Sequence, residues 1–296
     1  MKRTIFELTP QPSIREAFVE ASSFLDGLRV MESQRNAQLL LEHVLGLSGT
    51  SYFMALADPF PADRRHALEE AINRKAQGVP AQYIIGEQEF YGRPFEVTPA
   101  VLIPRPETEL LVEAVLKYGR ELTLRSNERL QAIDIGTGSG AIAITLALQE
   151  PAWGLLASDI SPDALEVAAR NAKQLNAGVE FRQGNLLEPF AGMAPDILVS
   201  NPPYIPAEDI EGLQPEVRDY EPRTALDGGP DGLNPYRIMM AQLPLLSAPP
   251  RLIAFELGMG QAEDVAELLR SAGHWKEIVT VPDLAGIDRH VLGISR

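Results

Sequence analysis

Hydrophobic and polar residues follow two different patterns along the chain. In residues 1–80 the spacing is helical, and the apolar positions of one helix share a face: Ala37, Leu40, Leu41, Val44 and Leu45. Ser13 with Glu16 has the spacing of a capping box, and Pro61 with Asp63 suits the first turn of a further helix. We therefore predict a small helical domain over residues 1–80. It is either a packing appendage or a docking module for a macromolecule.

Short apolar strands separated by glycine follow this helical domain. Residues 82–97 contain Gly86 and Gly92 as turn signals, which predicts a β-hairpin linker over residues 81–100. A helix with apolar periodicity is then expected over about residues 108–118.

Strands and helices alternate from Leu130 onward. The predicted strands lie near residues 130–135, 154–158, 178–182, 196–200, 251–256, 275–280 and 289–294. The predicted helices lie near residues 140–149, 162–174, 234–245 and 260–272. This alternation predicts an α/β fold, with an open and mainly parallel seven-stranded sheet that carries helices on both faces. We assign residues 101–296 to this domain.

Composition and charge narrow the possible functions. The net charge is −15 without a cluster of lysine or arginine, which disfavours nucleic acid as a direct substrate and favours a basic protein partner. The chain has no cysteine, and its four histidines lack metal-ligand spacing, so we expect no disulfide and no metal site. We find no apolar run of the ~18–20 residues that a membrane span needs, and no signal peptide. We expect a cytoplasmic protein.

The stretch Asn201-Pro202-Pro203-Tyr204 follows a short apolar strand and is chemically unusual. Two prolines fix the backbone and remove two N–H donors, which leaves a side-chain amide, carbonyl acceptors and an aromatic face. This set suits a planar NH2 group. We expect the Asn201 side-chain oxygen and the Pro202 carbonyl each to accept one N–H of the target, while Tyr204 packs on its face.

A glycine loop after the first strand of the α/β region predicts a cofactor site. Gly136, Gly138 and Gly140, with Thr137 and Ser139 between them, allow a tight turn and close approach of a ligand. Asp159 comes 23 residues after Gly136, at the end of the next strand, where its carboxylate would accept from ribose hydroxyls. The loop alone fits a nicotinamide or flavin site as well as S-adenosylmethionine.

Other residues shift this balance towards S-adenosylmethionine. Asp134 precedes the loop, where it would accept from an ammonium group and repel a pyrophosphate. The chain has no second nucleotide-binding half with its own glycine loop, and Asn201 falls at the same edge of the sheet. After the third strand, Asn185 is expected to bond the edge of the adenine and Leu186 to pack on its face.

With these residues in place, the chain resembles the HemK-type release-factor glutamine methyltransferases, the PrmC family. The resemblance is carried by residues 103–109, 134–140, 201–205, 221–226, 255–261 and 283–289, together with Asp159. The glycine loop and Asn201-Pro202-Pro203-Tyr204 are shared with adenine-N6 and ribosomal methyltransferases, whereas residues 103–109 favour the release-factor enzymes. The chain departs from the family at Asn185, where many members carry aspartate.

The resemblance implies a class I methyltransferase fold, with S-adenosylmethionine as methyl donor. It implies that the acceptor is the glutamine of the Gly-Gly-Gln loop in class I peptide chain release factors, and that the N-terminal domain helps to grip the factor. We expect a monomer. Residues 221–229 are expected to form either a loop over the site or a solvated connector.

Three alternatives remain at this stage. A nucleic-acid methyltransferase acting on adenine N6 or guanine N2 would use the same site for a planar NH2 group. A nicotinamide-dependent oxidoreductase would use the glycine loop. A release-factor-binding protein without activity is the third alternative.

Overall fold

A computed structural model describes residues 5–126 and 129–295, which form two compact units. The first contains the chain up to Gly86 together with the separate segment Pro215–Tyr220. The second contains Glu87–Gln214 and the chain from Glu221 onward. The predicted functions of the domains, a docking domain followed by a catalytic one, stay predictions.

The first unit is helical, as its hydrophobic pattern predicts. Its helices, numbered in chain order, are α1 (Ile14–Gly27), α2 (Ser33–Leu45), α3 (Gly49–Ala55), α4 (Arg65–Ala76), α5 (Ala81–Ile85) and α9 (Pro215–Tyr220). The predicted capping box starts α1, because the Ser13 hydroxyl accepts the Glu16 N–H and the Glu16 carboxylate accepts the Ser13 N–H. A 3-10 turn, Ala62–Arg64, precedes α4. The core includes Leu25, Leu40, Leu41, Tyr52, Leu68 and Ile72, all buried.

One helix of this unit corrects the predicted extent of the hairpin. Residues 82–85 were expected to be strand, but they belong to α5. Gly86 ends this helix with a φ of +88°, and its N–H bonds to the Gln82 carbonyl. Glycine reaches that conformation without the strain that a Cβ would add, so the glycine is a helix stop here and not a hairpin turn.

A buried lysine joins α9 to the rest of the first unit. Lys75, near the end of α4, is fully buried, and its ammonium forms an ion pair with Glu216 of α9. Burial is the largest influence on the pKa of Lys75 and lowers it, while Glu216 opposes that shift. The Tyr220 hydroxyl also donates to the Gln77 carbonyl, at 2.9 Å. These contacts hold a segment that is more than a hundred residues away in the chain.

The second unit contains a two-stranded hairpin and a seven-stranded sheet. The hairpin strands are β1 (Glu87–Phe90) and β2 (Arg93–Glu96). The sheet contains β3 (Gln131–Ile135), β4 (Gly154–Asp159), β5 (Val179–Gln183), β6 (Ile197–Ser200), β7 (Leu252–Glu256), β8 (Glu277–Pro282) and β9 (Asp288–Ile294). Their spatial order is β5-β4-β3-β6-β7-β9-β8, and β9 runs antiparallel to both of its neighbours. The predicted α/β fold is confirmed.

Helices cover both faces of this sheet. They are α6 (Pro106–Ser126), α7 (Ala141–Gln149), α8 (Pro162–Gln174), α10 (Asn234–Gln242) and α11 (Ala262–Ala272). Successive strand residues point to opposite faces, so Ala132 packs with α6 and α7 whereas Ile133 packs with α10 and α11. Strands buried on both faces are continuous apolar runs, and for this reason the sequence pattern located them well.

Helix α6 is longer than its predicted span of 108–118. Gly119 interrupts the apolar periodicity, yet the helix continues to Ser126. A Cβ on Gly119 would lie 2.3 Å from Cη2 of Trp153, so this glycine makes room for the indole and does not end the helix. Close packing thus accounts for a residue that resembles a helix stop in sequence.

The buried ion pair of the first unit yields a stability prediction. Glu216→Gln keeps an amide oxygen near the buried Lys75 ammonium but removes its counter-charge, and a hydrogen bond to a charged group contributes about 1.5–3 kcal/mol. We expect urea denaturation to show a loss of that order. Glu70→Gln, which removes the same charge from an exposed position on α4, is the matched control. Equal stability of the two variants would contradict the assigned role of the pair.

Candidate active site

Four neighbouring strands of the sheet end at the same level. Ile135 of β3 is in register with Ser158 of β4 and with Ser200 of β6, and Ser200 is in register with Phe255 of β7. The next residue on each strand therefore lies at one edge: Gly136, Asp159, Asn201 and Glu256. The chain order reverses between β3 and β6, and open α/β sheets bind ligands in the crevice at such a reversal.

The glycine loop forms the floor of this crevice. Gly136 and Gly138 have φ values of +70° and +56°, and a Cβ on either would meet no protein atom within 4 Å. A side chain there would occupy the crevice itself. Gly140 serves packing instead, because its Cβ would lie 2.7 Å from Cδ1 of Ile144.

Asp134 lies behind the glycine loop and is completely buried. Its Oδ2 accepts the Thr137 hydroxyl at 2.6 Å and the Ala143 N–H at 3.2 Å. Its Oδ1 is buried without a hydrogen-bond partner, and burial raises the pKa of this carboxyl to about 7. In this structure the carboxyl holds the loop; its predicted contact with a ligand ammonium stays a prediction.

Asp159 lies on the other side of the loop and faces the crevice. Its Oδ2 accepts the Gly138 N–H and its Oδ1 accepts the Ser161 N–H, both at 2.9 Å. Burial raises the pKa of Asp159, and these backbone donors oppose that shift. Each carboxylate oxygen has a second lone pair, so the side chain can still accept from a ligand hydroxyl.

Asn201 is held by residues from two other elements. Its Nδ2 donates to the Thr108 hydroxyl of α6 at 3.1 Å, and that hydroxyl donates to Oε2 of Glu256 at 2.7 Å. The Tyr204 hydroxyl lies 3.5 Å from Oε1 of the same carboxyl. Glu256 is buried at the end of β7, and this burial raises its pKa to about 7.

A cavity of about 590 Å³ connects the glycine loop with Asn201. Most of the predicted site residues line it: Gly136, Thr137, Gly138, Ser139, Asp159, Asn185, Leu186, Asn201 and Pro203. The other predicted site residues are not part of its lining: Asp134, Gly140, Pro202 and Tyr204. Their predicted contacts with a ligand stay predictions.

Several residues of this region escaped the sequence analysis. Thr108 and Arg105 line the cavity, and Glu256 lies directly behind Thr108. A carboxylate at the end of an otherwise apolar strand was the available signal for Glu256. The segment predicted as either a loop over the site or a connector does line the cavity, with seven residues: Pro222, Arg223, Thr224, Ala225, Asp227, Gly228 and Gly229.

Two family models match the chain. Residues 16–86 match the PrmC N-terminal domain, and residues 108–212 match the methyltransferase small domain. A release factor glutamine methyltransferase of Bacillus anthracis is 44% identical, over 94% of this chain and 98% of its own length. Relatives of the same name in Bacillus subtilis and Geobacter sulfurreducens are both 40% identical, over 95% of this chain and 98% and 96% of their own lengths.

The chain belongs to the release factor glutamine methyltransferase family. Among solved structures, the hMettl16 catalytic domain in complex with MAT2A 3′UTR hairpin 6 is 18% identical, covers 76% of this chain and 82% of that chain, and has a TM-score of 0.53. That likeness shows the shared methyltransferase fold. It carries no information about the acceptor of this methyltransferase.

The cavity of the methyltransferase fits S-adenosylmethionine, the predicted cofactor, which the family supports. Its volume is within the ~300–1,000 Å³ of small-ligand sites. The glycine loop leaves open space where a Cβ would project, Asp159 presents acceptors for ribose hydroxyls, and the unpaired Oδ1 of Asp134 lies behind the loop. Asn185 and Leu186 also line the cavity, and their predicted contacts with adenine stay predictions.

The described parts of the chain show neither a metal-binding cluster nor a membrane-spanning helix. Residues 5–126 and 129–295 contain no group of three or more histidine, aspartate or glutamate side chains arranged to hold a metal ion. Within the same residues, no helix is both long and apolar enough to cross a membrane.

The raised pKa of Asp134 predicts a pH-dependent stability. Because the folded-state pKa, about 7, exceeds the ordinary 3.8, the protonated acid favours the folded state. That contribution is complete below pH ~4 and is lost as the pH rises through 7. Relative to Asp134→Asn, the ligand-free wild type should therefore lose stability between pH 5 and pH 8.

Urea denaturation at several pH values measures this difference. Asp163→Asn, on the exposed first turn of α8, controls for the loss of one carboxylate. A difference between wild type and Asp134→Asn that stays constant from pH 5 to pH 8 would contradict the assignment.

Proposed function

We propose that this methyltransferase transfers a methyl group from S-adenosylmethionine to the side-chain nitrogen, N5, of the glutamine in the Gly-Gly-Gln motif of class I peptide chain release factors. One observation carries the proposal: the Asn201 amide lines the same cavity as the glycine loop and is held by Thr108 at 3.1 Å. The relatives' name supplies the acceptor.

Glycine-loop residues and Asp159 would hold the cofactor. When bound, S-adenosylmethionine supplies an electrophilic methyl group on its sulfonium. Asp159 accepts from the ribose hydroxyls, while Asn185 and Leu186 contact the adenine. The same carboxylate keeps the loop in place through its bond to the Gly138 N–H.

The glutamine amide is a poor nucleophile, and the site helps it mainly by orientation. Rotating an amide out of conjugation costs ~18–20 kcal/mol, which two hydrogen bonds of ~1–3 kcal/mol each do not supply. Fixing the reacting geometry is worth up to ~7–11 kcal/mol. In our proposal the Asn201 oxygen and the Pro202 carbonyl accept the two N–H bonds and favour slight pyramidalisation of the nitrogen. The methyl group would pass to this nitrogen as its bond to the sulfonium sulfur breaks, with S-adenosylhomocysteine as the leaving group and one proton lost to water.

Tyr204 and the N-terminal unit complete the proposal. Tyr204 packs beside the target amide, with its hydroxyl tied to Glu256. The N-terminal unit grips the release factor, and the exposed apolar side chains of Phe53 and Met54 on α3 support a docking role. Nucleic acid is not the acceptor, since a chain of net charge −15 would repel phosphates.

We also propose a cellular compartment and an oligomeric state for the methyltransferase. The methyltransferase works in the cytoplasm, where release factors act, and it works as a monomer. Sedimentation velocity on the purified chain tests the second point, and a dimer at working concentration would overturn it.

A methyl-transfer assay with labelled S-adenosylmethionine tests the acceptor. Purified release factors, their Gly-Gly-Gln glutamine-to-alanine variants, total RNA and total DNA serve as substrates. We expect label on the wild-type factor and none on its alanine variant. Label on nucleic acid alone would overturn the acceptor while leaving the methyltransferase fold in place.

Asn201→Ala tests the role of the amide. Turnover should fall below detection because the acceptor for the glutamine N–H is gone. Cofactor affinity should change less than about threefold, since Asp159 and the glycine loop are intact. Calorimetric titration with S-adenosylmethionine and a methyl-transfer assay measure the two quantities. Lost cofactor binding with an unchanged melting temperature would contradict the assignment.

A further inference from the structure

Three polar side chains from separate elements form a chain of hydrogen bonds at the cavity. Asn201 follows β6, Thr108 lies in the first turn of α6, and Glu256 ends β7. Thr108 and Glu256 are 5% and 2% exposed, so water does not compete for their bonds. The Asn201 Nδ2 donates to the Thr108 hydroxyl at 3.1 Å, and this hydroxyl donates to Oε2 of Glu256 at 2.7 Å.

The donors and acceptors of this chain fit in one direction only. An ionised carboxylate accepts hydrogen bonds, and a hydroxyl has a single proton to give. The Thr108 proton goes to Glu256, so towards Asn201 the hydroxyl can only accept. Asn201 must therefore turn its NH2 to Thr108, and its Oδ1 lies on the opposite side of the planar amide.

The direction matters because the acceptor is itself an NH2 group. An Asn201 side chain rotated by 180° would present donors to donors. With Oδ1 turned away from Thr108, the amide offers an acceptor to the target nitrogen.

We propose that Glu256 and Thr108 are positioning residues, which fix the orientation of the Asn201 amide so that its oxygen meets the substrate N–H. This inference deepens the proposed function and rests on it for the identity of the acceptor. Neither residue needs to touch the reacting atoms, since both act through Asn201.

The hydrogen bonds from Asn201 through Thr108 to Glu256 make the orientation of the Asn201 amide depend on pH. When Glu256 is protonated, its hydroxyl can donate to Thr108, and the Thr108 proton is then free to point at Asn201. The preference for one amide orientation is lost, so turnover should be low when Glu256 is protonated and should rise as it ionises. Burial raises the pKa of Glu256 to about 7, which places this rise near neutral pH.

Other groups face the Glu256 carboxyl. The His290 Nε2 lies 3.9 Å from Oε2, and burial lowers the pKa of His290. The Tyr204 hydroxyl lies 3.5 Å from Oε1, and burial raises the pKa of Tyr204. The Tyr236 hydroxyl donates to the backbone carbonyl of Glu256 at 2.7 Å. The remaining charged groups that influence it are Glu107 and Arg289.

Two substitutions of Thr108 form a matched pair for kinetics. Thr108→Val keeps the shape but removes the hydroxyl, and we expect kcat for a release factor to fall ~10–100-fold, as misplaced catalytic groups typically do. The KM for S-adenosylmethionine should change less than about threefold, because Asp159 and the glycine loop are unchanged. Thr108→Ser keeps the hydroxyl and should restore most of the turnover and the wild-type pH profile.

These kinetics have outcomes that overturn the inference. Wild-type turnover in Thr108→Val would overturn it. An equal loss of kcat in Thr108→Val and Thr108→Ser would also overturn it. Melting temperatures of both variants separate a loss of fold from a loss of orientation.

A second readout needs no acceptor. Selective 15N labelling of asparagine gives the side-chain NH2 signals of Asn201, assigned by their absence in Asn201→Asp. In the wild type these signals should shift between pH 5 and pH 9 as Glu256 ionises. Glu256→Gln and Thr108→Val should remove this shift.

This readout separates the two proposals. If the wild type labels no release factor but the Asn201 signals respond to pH and to both substitutions, the acceptor assignment fails and the positioning role stands. Signals that do not move with pH in the wild type overturn the positioning role, whatever the acceptor.

Discussion

The common level at which four parallel strands end is the constraint on which the site depends. Hydrogen bonding fixes the register of β3, β4, β6 and β7, so the residue that ends or directly follows each strand has little choice of position. Backbone geometry, and not a loop conformation, brings Gly136, Asp159, Asn201 and Glu256 to one edge. A site placed on strand ends needs little ordering when a ligand arrives, because folding has already fixed its polar groups.

Buried carboxyls are the second common element of the site. Asp134 and Glu256 both lose water on folding, and in each the pKa is raised to about 7. Each carboxyl accepts a hydrogen bond from a threonine hydroxyl. Asp134 accepts from Thr137 of the glycine loop, and Glu256 accepts from Thr108, which in turn contacts Asn201. The same arrangement therefore fixes two parts of the cavity, the glycine loop and the Asn201 amide.

Much of this arrangement could be predicted from the sequence, for physical reasons. Buried parallel strands are apolar runs, and the glycine loop and Asn201-Pro202-Pro203-Tyr204 are local motifs whose chemistry is contained in adjacent residues. Thr108 and Glu256 could not be found in this way, because their bond joins residues 148 apart in the chain. The sequence analysis did not predict α3 because the helix begins with Gly49, Thr50 and Ser51, which are weak helix formers. The predicted end of α6 was eight residues too early, and the packing of Gly119 against the indole of Trp153 is visible only in the structure.

The assignment of Pro215–Tyr220 to the first unit has a topological consequence. The backbone crosses from one unit to the other three times, after Gly86, before Pro215 and after Tyr220. The N-terminal unit is therefore not a module that a single cut could release intact. Ending the chain at Gly86 would strip Lys75 of Glu216, and starting it at Glu87 would leave Glu216 and Tyr220 without the groups they bind. The first unit is thus assembled from two separate stretches of the chain, so it is not a contiguous cassette that could be exchanged as one piece.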